Sequence, residues 1–583
     1  MDRGRLQCAR RDLHGPLSLR DDPDHDAVCE ADAKHLLVVA PPGTGKTTLA
    51  VRLAGVQASA LSPEERILLV TFSNQARVQL EREAARQLTI EARRAVEVVN
   101  YHGLFRREVW AYRRALGLPL DVRFTSGRRR LEVLKAADAE AVAELKQFKG
   151  FLDAFAEQRF PGFHDERTPS HETVERLLGA IETENGLGRI VFDDLGALFW
   201  RLLDTYPVLD TAYQARYPVV IADEHQDASA LQDAFVRRLA SRRLVIFADP
   251  MQLIYGFRGS KPERLERHNA ECDARFELRT PHRWHGRDSG DWLLAVRARL
   301  QGQGRPAPRP AEVTLIKCQY LNQMLPRVKG EAAAALRGGM ETVAVIAVFN
   351  SDVGKLRSYL SREGLYPRQL GGGDDFEDAC AEIEQLPLLD DPTNLAVHAL
   401  ERVASLVPTL KQNIVFTAKK RLTPTGVNLS GRCSAEVKAL LSALEPLYLV
   451  GPRSYFSSVV TALEECLARD HHLPRVEAVR ALRATADRCD EASDLEAALA
   501  EYSDNVAAAA QAAPRLGRGL YVMTAHQAKG KEFDAVIVVN CGSTQFPDNE
   551  EGRRLFYVAI TRGSQKWVLL APSQTPTPLL LHL

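Results

Sequence analysis

Residues 36–48 read LLVVAPPGTGKTT. Four consecutive apolar residues suit a strand buried on both faces, and a helical pattern resumes near Thr48. Between them, Gly43 and Gly45 let the backbone turn inward, so that the N–H groups of Gly43 through Thr48 can cradle phosphate. In that arrangement Lys46 reaches the outer phosphate oxygens and Thr47 supplies a hydroxyl to Mg2+. Thr44 and Thr48 belong to the same nucleotide-binding turn. The segment marks a nucleoside triphosphatase, and by itself it specifies nothing further.

Working outward, similar apolar runs recur as ILLVTF (67–72), PVVIAD (218–223), LVIFAD (244–249), VAVIAVF (343–349), AVIVVN (535–540) and WVLLA (567–571). Short buried runs alternating with amphipathic helices are what parallel sheets require, and their grouping predicts an α/β chain with two sheets. Two long segments, about 104–188 and about 376–514, are rich in Ala, Leu, Glu and Arg and read as mainly helical insertions. The expected order is a first sheet domain (1–103), a helical insertion (104–188), and the rest of that domain (189–280). A second sheet domain (281–375) follows, with a helical insertion (376–514) and its closing part (515–583).

The 583 residues exceed one hydrophobic core, at roughly 100–200 residues per domain. Basic and acidic side chains number 76 each, so no global field draws in nucleic acid and any such site is a local groove. Nine cysteines form no CxxC pair, which argues against a zinc ribbon, an iron–sulfur cluster or a disulfide framework and fits a reducing cytoplasm. No apolar run reaches the ~18–20 residues that span a bilayer, and the first residues lack a signal peptide's apolar core. A soluble, cytoplasmic protein without membrane association is expected.

Asp223 and Glu224 end the strand VVIA, where one carboxylate can hold the Mg2+ shell and its neighbour can orient the attacking water. With His225-Gln226-Asp227 they spell DEHQD. That box resembles the DExQD of the UvrD/Rep/PcrA superfamily 1 DNA helicases, and other boxes follow in family order. TFSNQARVQLEREA (71–84) and YHGLF (101–105) are similar to DNA-contacting boxes, and FDDL (192–195) precedes DEHQD. ADPMQLIYGFRGS (248–260) is similar to GDxxQxIYxFRGA, and LRTPHRW (278–284) stands where LxxNYRS is expected. VMTAHQAKGKEFDAVIV (522–538) and RRLFYVAITRG (553–563) resemble motifs V and VI.

The resemblance implies two RecA-like P-loop domains with ATP and Mg2+ between them. It assigns Gln252 to γ-phosphate sensing, Arg283 and Arg562 to the γ-phosphate from the second domain, and Glu532 to the nucleotide. Phe72, Tyr101, His102, Tyr255, Phe257 and His526 fall in boxes that line the DNA channel, with Phe257 the first choice for base stacking. At the adenine side the chain departs from the family: His25 stands where a glutamine reads the base, and His282 where a tyrosine stacks on it. The basic run AKKRLTPTG (418–426) is a candidate contact to duplex phosphates. The implied activity is ATP-dependent translocation on single-stranded DNA and unwinding at single/double-strand junctions, with 3′-to-5′ polarity, in repair, replication restart or phage defence. A different class stays open: a DNA- and nucleotide-sensing subunit of a nuclease complex, similar to the UvrD-like subunit of Gabija-type antiphage systems, with a separate nuclease as partner.

Overall fold

The structure, a computed structural model, describes residues 22–120, 122–124, 127–145, 171–191, 194–256, 260–284, 287–305, 307–319, 321–368, 391–406, 410, 412–467, 483 and 518–583. In chain order the strands are β1 (His35–Val39), β2 (Ile67–Thr71), β3 (Val96–Asn100), β4 (Arg123–Phe124), β5 (Arg189–Ile190), β6 (Val219–Ala222), β7 (Arg243–Ala248), β8 (Ala274–Glu277), β9 (Val313–Cys318), β10 (Thr342–Ala347), β11 (Leu422–Thr423), β12 (Gly426–Val427), β13 (Gly519–Thr524), β14 (Phe533–Val538) and β15 (Gly563–Pro572).

Alternation along β1 explains the first sheet. Leu36 and Val38 pack with Ile67, Leu69, Ile221, Val245 and Phe247 in one core, while Leu37 and Val39 pack with Leu68, Val70, Val220 and Ile246 in the other. Both faces are covered, as a parallel sheet needs. The strand order is β3-β2-β6-β7-β1-β8, every pair parallel. The second sheet runs β13-β10-β14-β15-β9, with β10, β14, β15 and β9 mutually parallel.

The seven apolar runs picked out in the sequence correspond to β1, β2, β6, β7, β10, β14 and β15. The four further strands, β3, β8, β9 and β13, are the edges of the two sheets. Three of them carry half-buried or exposed residues along their length and so present no continuous buried run, and Ala274–Glu277 alternates between half-buried and exposed positions with none fully buried.

By contacts the chain divides into two compact units, one of residues 1–366 with 522–583 and one of Pro367–Tyr521. The first contains β1–β10, β14 and β15. It also holds helices from the first insertion, Gly127–Ala137, Ala139–Leu145 and His171–Gly186, around a small core of Leu134, Val142, Leu177 and Ile181. There Arg130 donates to Asp194 at 2.6 Å, a buried ion pair that uses the second acid of FDDL. The second unit packs helices Pro392–Leu406, Ala435–Leu444 and Tyr455–Leu467 around Leu400, Val403, Leu441 and Val459. The run 418–426 lies there at the end of helix Gln412–Lys419 and in the β11–β12 hairpin, with Lys420 stacked 4.3 Å over the exposed Phe416 ring. No helix among the described residues is long and apolar enough to cross a membrane.

Candidate active site

Three adjacent strands, β6, β7 and β1, deliver the phosphate loop, DEHQD and ADPMQ at their C-terminal ends, where ligands of open parallel sheets bind. Gly43 and Gly45 both adopt left-handed φ, 77° and 78°, and Lys46 begins the helix Lys46–Ala58. A Cβ on Gly43 would stand 2.7 Å from the Trp284 ring, so only glycine permits this approach. Thr44 is buried and its hydroxyl donates to the Pro41 carbonyl. Thr47 lies half-buried in the first helical turn, while the Thr48 hydroxyl turns away to Glu83 at 3.1 Å.

Lys46 forms an ion pair with Glu224 and stands 3.7 Å from Asp223. Burial alone would discharge its ammonium, but the two carboxylates hold its pKa above the ordinary value. The acids separate in the way two roles require. Burial raises Asp223 to about 6, whereas the charges of Lys46 and Lys529 overcome the burial of Glu224 and hold it near 2. Glu224 also occupies the left-handed region, φ 54° and ψ 34°, a strained position for a residue with a Cβ, and Gln226 Nε2 donates to its Oε2 at 2.5 Å.

From that carboxylate a hydrogen-bonded chain runs to the second sheet domain. Gln226 Oε1 accepts from the Asp249 N–H at 3.0 Å, Asp249 Oδ2 accepts from Gln252 Nε2 at 2.9 Å, and Gln252 Oε1 accepts from Arg562 Nη2 at 3.1 Å. Arg562 is 3% exposed, and burial together with Arg283 lowers its pKa to about 10, so it stays protonated at neutral pH. Arg283 donates to the Thr561 carbonyl and pairs with Glu532. Glu532, expected to face the nucleotide, is thus a partner of Arg283 and half-exposed.

Of the two histidines expected beside the adenine, His25 has Nε2 2.9 Å from the Thr44 carbonyl and His282 has Nε2 2.7 Å from Asp22 Oδ2. Their rings meet edge to face, 5.4 Å apart. Both departures from the family therefore sit together at one end of the phosphate loop.

Of the expected DNA-contacting residues, Phe72 and Tyr255, from two loops, and His526, from the short helix Ala525–Ala528, converge. Phe72 stacks on Tyr255 at 5.9 Å, Tyr255 and His526 are 6.2 Å apart, and the Lys529 ammonium sits 4.8 Å above Tyr255. Tyr101 corrects its expectation: it is 1% exposed and its hydroxyl is 3.1 Å from His225 Nδ1, because the aromatic at the start of helix Tyr101–Ala111 packs inward. His102, next to it, is half-buried. Phe257 lies outside the described residues.

Three participants escaped the sequence reading. Lys529 donates to both Asp227 oxygens at 2.6 and 2.5 Å and to the Gln252 carbonyl, and its place in AHQAKG was the available signal. Asp22 is legible only as a helix cap. Arg297, bonded to Asp249 at 2.5 Å in a buried pair, carries no local signal at all, since 48 residues separate the partners.

A phosphate loop beside paired acids, with arginine and lysine from a second sheet domain bonded to Asp227, Asp249 and Gln252, defines a P-loop nucleoside triphosphatase. The UvrD/REP helicase N-terminal domain model matches residues 22–273, and the UvrD-like helicase C-terminal domain model matches 519–570. DNA helicase II of Escherichia coli (strain K12) is 24% identical across 95% of this chain and 84% of its own length. UvrD1 of Mycobacterium tuberculosis (strain ATCC 25618 / H37Rv), an ATP-dependent DNA helicase, is 25% identical across 91% of this chain and 79% of its own. The chain belongs to the UvrD-like superfamily 1 helicases and is an ATP-dependent DNA helicase.

Proposed function

We propose that this helicase uses ATP with Mg2+ to move 3′-to-5′ along single-stranded DNA and to part duplex at junctions, in DNA repair, replication restart or phage defence. The observation that carries the reading is the continuous path from Glu224 through Gln226, Asp249 and Gln252 to Arg562, which makes the acid of one domain and the arginine of the other answer to a single γ-phosphate. Lys46 binds the phosphates. Because phosphate oxygens compete with Glu224 for the same ammonium, nucleotide binding transfers Lys46 and frees Glu224 to orient water, while Gln252 and Arg562 meet the charge on the transferred group. Mg2+ fits Thr47 and Asp223, whose buried Oδ1 takes no hydrogen bond, and when bound it neutralises charge on the outer phosphates. Phe72, Tyr255 and His526 offer a face to bases.

The test is ATP hydrolysis with and without single-stranded DNA, beside strand displacement on 3′- and 5′-tailed duplexes. Stimulated turnover with displacement only from the 3′ tail is expected. Turnover indifferent to DNA, with no strand displaced at any salt concentration, overturns the motor reading and favours a sensing subunit that works with a separate nuclease.

A further inference from the structure

His225, the variable residue of DEHQD, joins a buried cluster outside the nucleotide site. Its Nε2 lies 2.9 Å from Asp233 Oδ1, and His268 Nε2 lies 2.5 Å from the same oxygen. Arg237 donates to Asp233 Oδ2 at 3.2 Å and faces His268 Nδ1, as does His35 Nε2 at 2.9 Å. Because a carboxylate only accepts, both imidazoles carry their proton on Nε2, and the remaining acceptor of His225, Nδ1, takes the Tyr101 hydroxyl. The spacing is that of hydrogen bonds. Three ligands around a tetrahedral zinc would stand roughly 3.3 Å apart, and the Arg237 guanidinium opposes a cation there.

The cluster matters because of what it adjoins. Glu224 holds a left-handed backbone that an L residue keeps only when its surroundings impose it, and the turn His225–Asp227 follows directly. Its side chain is held by Lys46 and Gln226, and its backbone by His225, which is pinned at both ring nitrogens. One of those pins, Tyr101, is the first residue of the helix Tyr101–Ala111, capped by Asn100, and neighbours His102.

We propose that Tyr101 and His225 are positioning residues that transmit occupancy of the DNA strand to Glu224, through the hydrogen bond that joins the start of that helix to the DEHQD turn. A shift of the helix start pulls on His225 and resets the carboxylate that orients water. Tyr101 acts through its hydroxyl from within the core and stacks on no base.

The proposal rests on the motor reading, so the full-length wild type is assayed first with a single-stranded oligothymidylate; absence of stimulation there defeats the motor reading itself. Tyr101→Phe then keeps the ring and removes one hydroxyl. The ratio of DNA-saturated to DNA-free turnover is expected to fall roughly three- to tenfold, the worth of one hydrogen bond, with KM for ATP within about twofold of wild type. Asp233→Asn, which loosens His225 from its other side, is expected to lower the same ratio, and the double variant to lower it by less than the product of the two. A wild-type ratio in Tyr101→Phe overturns the proposal. So does an equal fall of DNA-saturated and DNA-free turnover, which marks a merely structural bond. If Tyr101→Phe fails to fold, the ratio in Asp233→Asn decides by the same criterion.

Discussion

Lys46 and Glu224 neutralise each other across the phosphate loop, and their replacements are expected to fail differently. Lys46→Ala removes the cation that holds phosphate, so both nucleotide binding and turnover are lost. Glu224→Gln keeps Lys46 and removes the carboxylate that orients water, so ATP stays bound while phosphate release falls by ~10²-fold or more. Fluorescent-nucleotide binding beside phosphate release separates the two, and normal turnover in either variant sinks the assignment. The base side makes a second prediction. His25 spends Nε2 on the Thr44 carbonyl and His282 spends Nε2 on Asp22, so neither presents the paired donor and acceptor of an amide to adenine. GTP and dATP are expected to support turnover within about tenfold of ATP, the scale on which a site lacking specific hydrogen bonds discriminates. A preference of about a hundredfold for ATP shows instead that other groups read the base.

Helices and strands give a pH prediction, because helix Ala230–Leu239 and helix Pro262–Glu271 are joined by Asp233 and His268. Burial lowers His268 to about 4 from an ordinary 6.5. The folded state therefore binds fewer protons than the unfolded chain between those values. Its contribution to stability is full above about 6.5 and is lost as pH falls towards 4. His25 and His35 shift in the same direction, so His268→Gln is expected to flatten, without abolishing, the fall of thermal midpoint across that window. An unchanged slope means that His268 does not titrate differently on unfolding. The same scale shows what was legible. The interior strands announce themselves as apolar runs because both faces are covered, whereas edge strands such as Ala274–Glu277 read as polar until their neighbour is known.

Across the molecule, the two sheet domains are joined by two buried contacts of opposite charge, Lys529 with Asp227 and Arg297 with Asp249, and by the hydrogen bond from Arg562 to the Gln252 amide. Removing one partner leaves the other dry and unpaired, so that it either stays charged, typically at a cost of ~3–5 kcal/mol, or gives up its charge at a smaller one, while replacing both with neutral groups costs less still. Lys529→Met is expected to lower the thermal midpoint clearly and Lys529→Met with Asp227→Asn to restore most of it. Burial already raises Asp227 to about 6 with Lys529 opposing, so the lone carboxyl takes up a proton near neutral pH. A wild-type midpoint in Lys529→Met shows that the pair contributes nothing to holding the domains together, and equally lowered midpoints in the single and double variants show that the lone Asp227 carries no penalty.

By itself the sequence determined the chemistry that local spacing encodes. Gly43 and Gly45 before Lys46, paired acids closing an apolar strand, and arginine in TRG all depend on neighbours within a few residues, and those neighbours are read directly. Tertiary structure alone decided which side chains meet from afar. It turned Tyr101 into the core, gave Glu532 to Arg283, brought Arg297 to Asp249 and set two unrelated histidines edge to face beside the phosphate loop. The physical reason is that a pair of charges or rings draws its energy from proximity and burial, and neither quantity exists in the chain until the sheets have packed.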